Sequence, residues 1–208
     1  MSVATVKTVA ARFLKSVKPE VLALKGDWGV GKTYAWKKLV MENKEEIKLP
    51  NYCYVSLFGI SSVAELRTTI FTKTQAVKRL GVKLDAETIN NEWGGILWEQ
   101  SKSLLRTGAN FFKELPYGKN VTVGLETLAT HFIRNTIVCL DDFERVAADT
   151  IKTEEILGLI SELKEEKNCK VVLIFNEERL GNKDIYSKYR EKVVDIELLY
   201  DPTPEEAH

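Results

Sequence analysis

The chain has 208 residues, enough for one sizeable core with an insertion or a small satellite. Hydrophobic residues make up 44% and charged residues 29%, the balance of a globular protein, and 30 basic side chains against 30 acidic ones exclude the basic excess of a general nucleic-acid binder. Lys7, Arg12 and Lys15 break the first apolar run, so no signal peptide is expected, and no uninterrupted apolar stretch reaches transmembrane length.

In chain order, residues 3–17 place Val6, Val9, Ala10, Phe13, Leu14 and Val17 at helical spacing, and Pro19 ends that helix. Residues 21–24, VLAL, read as a short buried strand. Residues 26–33 then read GDWGVGKT, which fits G-x-x-x-x-G-K-[ST], the phosphate-binding P-loop. The helix predicted over 33–43 completes the strand–loop–helix context that such a loop requires. Its backbone N–H groups converge on one point at a helix N-terminus and make an anion site. Gly26 and Gly31 allow backbone angles and a close approach that a Cβ would obstruct. Asp27, Trp28, Gly29 and Val30 complete the cradle. Lys32 is expected to reach the β- and γ-phosphates, and the Thr33 hydroxyl to coordinate Mg²⁺. Trp28 either stacks near the nucleotide or packs under the loop, and packing is the commoner role of an aromatic ring.

A second strand is expected over 52–58. A helix follows over 61–80, with Ser61 or Ser62 as its N-cap and Glu65 in its first turn. Residues 81–124 are irregular and read as an insertion of helices and loops. The stripe Leu104, Leu105, Gly108, Phe111, Phe112 and Leu115 within it suits core packing, or a partner or membrane-surface face. A helix is expected over 126–135, a third strand over 136–142, a helix over 153–168, a fourth strand over 170–176, a helix over 184–192 and a fifth strand over 193–199. Strands alternating with helices imply a mainly parallel five-stranded sheet covered on both faces, a three-layer α/β/α P-loop architecture. Residues 1–200 form the NTPase domain in this reading, with 1–18 as an N-terminal helix. Residues 201–208 read as the start of a further helix capped by Thr203, with Pro204 at its first position, leading into a C-terminal helical region.

A P-loop needs an acid at the end of a neighbouring strand to anchor the metal's hydration shell. IVCLDDFER, residues 137–145, supplies it: four apolar residues lead to Asp141, the Walker B candidate. Asp142 stands where many ATPases carry the acid that orients the attacking water, and Glu144 competes for that role. Asn176 ends the fourth strand. It either sits beside the γ-phosphate, between the P-loop and Asp141, or simply initiates a turn. Arg145, Arg179 and Arg190 can each supply positive charge to a transition state, although exposed charge is the default role of arginine. The guanine-reading pattern N-K-x-D is absent, since residues 182–184 read NKD without the spacer, and Asp141 is not followed by the glycine of D-x-x-G. ATP is therefore the expected nucleotide. Cys53, Cys139 and Cys169 lie in apolar runs at no metal-binding spacing and read as buried thiols of a reducing, cytoplasmic setting. With two histidines, His131 and His208, a histidine metal site is not expected.

These motifs resemble the KAP family of P-loop NTPases. The resemblance lies in G-x-W-G-x-G-K-[ST], here Gly26, Asp27, Trp28, Gly29, Val30, Gly31, Lys32 and Thr33, and in a strand ending D-D-[LF]-[DE]-R, here Asp141 to Arg145. It implies an ASCE-type ATPase core related to the STAND and AAA groups, using ATP and Mg²⁺. It also implies a protein partner or self-assembly, through the insertion or a C-terminal region. Family members include membrane-associated scaffolds and bacterial phage-exclusion proteins, and some carry transmembrane helices between the two Walker motifs. The insertion here lacks that length. The competing expectation is a nucleotide-dependent switch or scaffold with little turnover, which the resemblance places in a bacterial antiphage defence protein.

Overall fold

A computed structural model describes residues 2–81, 131–146, 151–181 and 183–203. Five helices are described: α1 (Val3–Lys15), α2 (Lys32–Glu42), α3 (Val63–Lys73), α4 (Thr153–Glu165) and α5 (Lys183–Val193). The strands are β1 (Val21–Lys25), β2 (Asn51–Ser56), β3 (Gln75–Ala76), β4 (Thr136–Asp141), β5 (Lys170–Phe175) and β6 (Ile196–Leu199). They form one sheet in the order β3-β2-β4-β5-β1-β6. Every neighbouring pair is parallel except β2 with β3.

The sheet is covered on both sides because its strands are apolar on both faces. Val21 and Ala23 of β1, Val138 and Leu140 of β4, and Val171, Leu173 and Phe175 of β5 pack against α3, α4 and α5. The alternate residues, Leu22 and Leu24, Ile137 and Cys139, Val172 and Ile174, pack with Phe13 and Leu14 of α1 and Trp36 and Leu39 of α2. A period of two thus feeds two cores from each strand, as a doubly covered parallel sheet requires. Trp36 locks α2 to the sheet through an indole N–H donated to the Tyr52 hydroxyl at 3.0 Å. Cys53, Cys139 and Cys169 are buried free thiols, and burial pushes Cys53 up to about 12 and Cys169 up to about 11.

The expected architecture holds, with departures at the ends of several expected elements. The helix expected over 61–80 stops at Lys73 and gives way to β3 and a 3-10 turn at Val77–Arg79. The segment carries Thr68, Thr69, Ile70, Thr72 and Thr74, whose β-branched side chains weaken a helix. Thr74 then ends the helix, its hydroxyl donating to the Ile70 carbonyl at 2.7 Å. The freed backbone pairs with Asn51 and Tyr52, so the sheet gains a sixth, antiparallel edge strand. The N-cap is Ser62, whose hydroxyl accepts from the Glu65 amide at 3.1 Å, while Ser61 donates to the Glu65 carboxylate. Val193, expected in the fifth strand, closes α5 instead. The insertion beyond Gly81, its apolar stripe, the first half of the helix expected over 126–135, Asn182 and residues 204–208 lie outside the described residues; in the second half of that helix only residues 131 and 132 are helical.

Candidate functional site

All five parallel strands end at the same edge, so the segments that follow them meet there. The loop after β1 is the P-loop, the turn after β4 carries the acids, and β5, inserted between β1 and β4, carries Asn176 at its tip. In open α/β sheets, ligands bind at this carboxyl edge.

The P-loop owes its shape to its glycines, each for a different reason. A Cβ on Gly26 would stand 2.3 Å from the backbone oxygen of Tyr200, because the chain leaving β6 crosses the start of the loop and its Tyr200 amide donates to the Lys25 carbonyl at 2.7 Å. Gly29 and Gly31 adopt φ of 80° and 87°, a region that L side chains rarely enter. Gly31 is the N-cap of α2 and offers no side-chain acceptor, so the first amides of that helix are left to an incoming anion. A Cβ placed on Gly29 or Gly31 meets nothing within 4 Å, so the loop opens onto free space there.

Lys32, the first residue of α2, is buried and turns its ammonium onto the Gly26 and Asp27 carbonyls, both at 2.7 Å. Burial lowers its pKa, and four carboxylates pull the other way: Glu144 foremost, then Asp141, Asp27 and Asp142. The Thr33 hydroxyl donates to Asp141 Oδ2 at 2.7 Å, joining the P-loop to β4. Asp141 is only 4% exposed, and its carboxylate also accepts from the Tyr54 hydroxyl at 2.6 Å and from the Asp142 amide at 2.9 Å. Three donors thus satisfy this buried carboxylate. A hydroxyl and a carboxylate oxygen side by side are also the hard donor set that suits Mg²⁺ together with phosphate oxygens. The residues present therefore fit a P-loop metal.

The two acids beyond Asp141 face different ways. Asp142 has φ of 60°, and its carboxylate accepts from Ser56 Oγ at 2.7 Å and pairs with Arg145 Nε at 3.4 Å. Glu144 turns toward the P-loop, where Oε1 accepts from the Trp28 indole N–H at 2.9 Å. Its Oε2 is a buried oxygen with no hydrogen-bond partner, the one such side-chain atom among the described residues. Trp28 does not pack under the loop, as its type suggested. It is 55% exposed and lies against two guanidinium groups, with Arg145 Cζ 4.7 Å and Arg179 Cζ 5.5 Å from its ring centroid.

Asn176 is 5% exposed, and its Oδ1 accepts from the Glu178 amide at 2.9 Å. It caps a short turn, and it stands at the tip of the strand between β1 and β4. Of the three arginines, Arg145 and Arg179 gather at Trp28, whereas Arg190 pairs with Glu197 at 3.6 Å. Glu197 and Glu177 both hold Lys25, at 3.1 and 3.0 Å, fixing the end of β1 just before the loop. Burial disfavours the Lys25 charge, but the two carboxylates outweigh it and raise its pKa.

Tyr54 and Ser56 are site residues that sequence reasoning missed. They lie two apart on β2, one facing Asp141 and the other Asp142. Burial first, and the Asp141 carboxylate next, raise the Tyr54 pKa and keep its hydroxyl a donor. The available signal was hydroxyl-bearing residues near the end of a strand otherwise built for a core.

The family model described as the KAP family P-loop domain matches residues 6–198, so the chain belongs to that family. A comparison with curated proteins finds no match. Among solved structures, the chain is similar to the ORC2 protein of Aeropyrum pernix in its ADPNP–ADP complexes, with a TM-score of 0.55 and 14% identity over 95% of this chain and 47% of that one. It is also similar to Cdc6p from Pyrobaculum aerophilum, with a TM-score of 0.51 and 14% identity over 98% of this chain and 45% of that one. The Aeropyrum pernix ORC1 protein in complex with DNA gives a TM-score of 0.51 and 15% identity over 96% of this chain and 44% of that one. At such identities the likeness is one of fold, and the chain spans less than half the length of each. The P-loop NTPase fold is shared, and with the family it carries nucleotide binding. Among the described residues, no helix is long and apolar enough to cross a membrane.

Proposed function

We propose that this KAP-family domain binds ATP with Mg²⁺ at residues 26–33 and hydrolyses it, using the cycle to change conformation or to assemble with a protein partner. The observation that carries the proposal is the 2.7 Å contact between the Thr33 hydroxyl and the Asp141 carboxylate at the uncapped N-terminus of α2. It joins the two Walker elements where phosphate and metal must meet. Binding falls to the loop amides from Gly26 to Gly31 and to Lys32, which leaves the Gly26 and Asp27 carbonyls for the β- and γ-phosphates. Thr33 and Asp141 hold the Mg²⁺ and its waters, with Tyr54 orienting Asp141. A Mg²⁺ held by Thr33 and Asp141 would supply positive charge against the phosphate oxygens.

Asp142 was the first candidate for orienting the attacking water, but Ser56 and Arg145 occupy its carboxylate. Glu144 keeps an oxygen free, and the role passes to it. Asn176 reads the γ-phosphate from the strand between. Arg145 and Arg179 stand nearest the loop as sources of positive charge. Adenine is favoured because both guanine-reading motifs are missing, and the similar Aeropyrum ORC2 structure holds ADPNP and ADP.

The test is a pair of measurements on the wild-type chain. Calorimetry with Mg²⁺ gives the affinities of ATP and GTP, and single-turnover hydrolysis gives the rate. Tighter binding of ATP and measurable phosphate release are expected. Displacement of labelled ATP by a lower concentration of GTP would overturn the base assignment. Tight binding without turnover would replace the enzyme with a nucleotide-controlled switch.

A further inference from the structure

Trp28 and Glu144 come from segments 116 residues apart, one in the P-loop and one in the turn after β4, and they meet through the indole N–H. The Glu144 carboxylate is thereby split in function. Oε1 is engaged at 2.9 Å, and Oε2 is buried and unpartnered. A buried carboxylate oxygen left without a donor is costly, and such groups call for an explanation in function.

The indole is contacted on its ring as well as at its N–H. Arg145 lies 4.7 Å and Arg179 5.5 Å from its centroid, and Phe58 lies 5.7 Å from the same Arg145 group. These cation–π contacts favour the ring orientation in which the N–H meets Glu144. The carbonyl of Asp27, the residue before Trp28, accepts from Lys32 at 2.7 Å.

We infer that Trp28 is a positioning residue for Glu144: its N–H holds one carboxylate oxygen so that the other accepts a hydrogen bond from the water that attacks the γ-phosphate. The inference rests on the reading of the site as one that hydrolyses ATP. In that step the water oxygen bonds to the γ-phosphorus and the bond to the β–γ bridging oxygen breaks. ADP leaves with the electron pair, and the water's proton, steered by Glu144 Oε2, ends on the released phosphate.

The test compares the full chain with Trp28→Phe, Glu144→Gln and the double variant. Phenylalanine keeps a ring for the two arginines and removes the N–H, and glutamine keeps an acceptor for the indole and removes the charge. At saturating Mg·ATP, Trp28→Phe should slow single-turnover hydrolysis by about ten- to a hundredfold, as loss of a hydrogen bond to a charged group does. Glu144→Gln should slow it by about 10² to 10⁴. The double variant should be no slower than Glu144→Gln, because Trp28 acts through the same carboxylate. Losses that multiply in the double variant, or a Trp28→Phe rate equal to or above wild type, overturn the inference. A second readout does not depend on the rate. The Trp28 indole ¹⁵N–¹H resonance, identified by its loss in Trp28→Phe, should move in Glu144→Ala and stay near its wild-type position in Glu144→Gln. An unmoved resonance in Glu144→Ala overturns the contact. A wild type that binds ATP without turnover overturns this inference and leaves nucleotide binding standing, whereas failure to bind ATP overturns both.

Discussion

Replacing Lys32 with alanine separates what the lysine does for the loop from what it does for the ligand. Its ammonium donates to two loop carbonyls at 2.7 Å each, those of Gly26 and Asp27. Gly26 is buried, so its carbonyl loses a donor without ready replacement by water. That loss costs about 1 kcal/mol or more, which lowers the melting temperature of the ligand-free protein by about 2–4 °C. When phosphate binds, the lysine exchanges these neutral acceptors for a charged one. Hydrogen bonds between charged groups are the strong class and contribute about 1.5–3 kcal/mol. Mg·ATP affinity should therefore fall by about 10- to 150-fold in Lys32→Ala. Calorimetry measures the affinity, and circular dichroism on the same sample shows that the sheet remains folded. An affinity equal to wild type in a folded variant would refute the assignment of residues 26–33 as the phosphate site.

Other expectations follow from the same geometry. Asp141→Asn should weaken ATP binding with Mg²⁺ present and change it little in EDTA, because it removes negative charge only where the ion sits; equal losses in both conditions would place the metal elsewhere. Gly26→Ala should destabilise the fold by about 1–3 kcal/mol in urea titrations, the range for overpacking, because its Cβ meets the Tyr200 backbone at 2.3 Å; full stability would show that the crossing chain yields freely. Lys170 is 0% exposed and donates to the Phe13 carbonyl at 2.6 Å, and burial depresses its pKa from 10.5 to about 8. The folded state therefore binds this proton less tightly than the unfolded chain, and the penalty is complete below about pH 8 and relieved as the pH rises toward 10.5. Measured against Lys170→Met, wild-type stability should gain up to about 3 kcal/mol across that window, and a difference that does not change with pH would sink the argument.

The sequence by itself determined every element that a local pattern encodes. The P-loop was legible because phosphate binding demands glycines, lysine and a hydroxyl at fixed spacing between a buried strand and a helix. The Walker B strand was legible because a strand covered on both faces must be apolar throughout until its terminal acid. The sheet's parallel, two-sided character followed from the alternation of such strands with amphipathic helices. The error at residues 74–80 came from a helical spacing that β-branched side chains undercut and an edge strand captured.

Only the tertiary structure decided which ends meet. Gly26 must lack a side chain because Tyr200, far along the chain, crosses it. Asp141 is held by Tyr54 and Asp142 by Ser56 because β2 lies beside β4, a pairing that no spacing within either strand reveals. Asp142 has both carboxylate oxygens engaged and Glu144 keeps one without a partner, a difference that the sequence does not show and on which the proposed role of Glu144 rests. Trp28 lies outside the loop rather than beneath it because two arginines from separate turns present charge to its ring. The physical reason is common to all four. Periodicity and turn chemistry act between neighbours along the chain, whereas hydrogen-bond partners and close approaches are set by how the strands are ordered in the sheet, and that order is fixed by packing between residues distant in sequence.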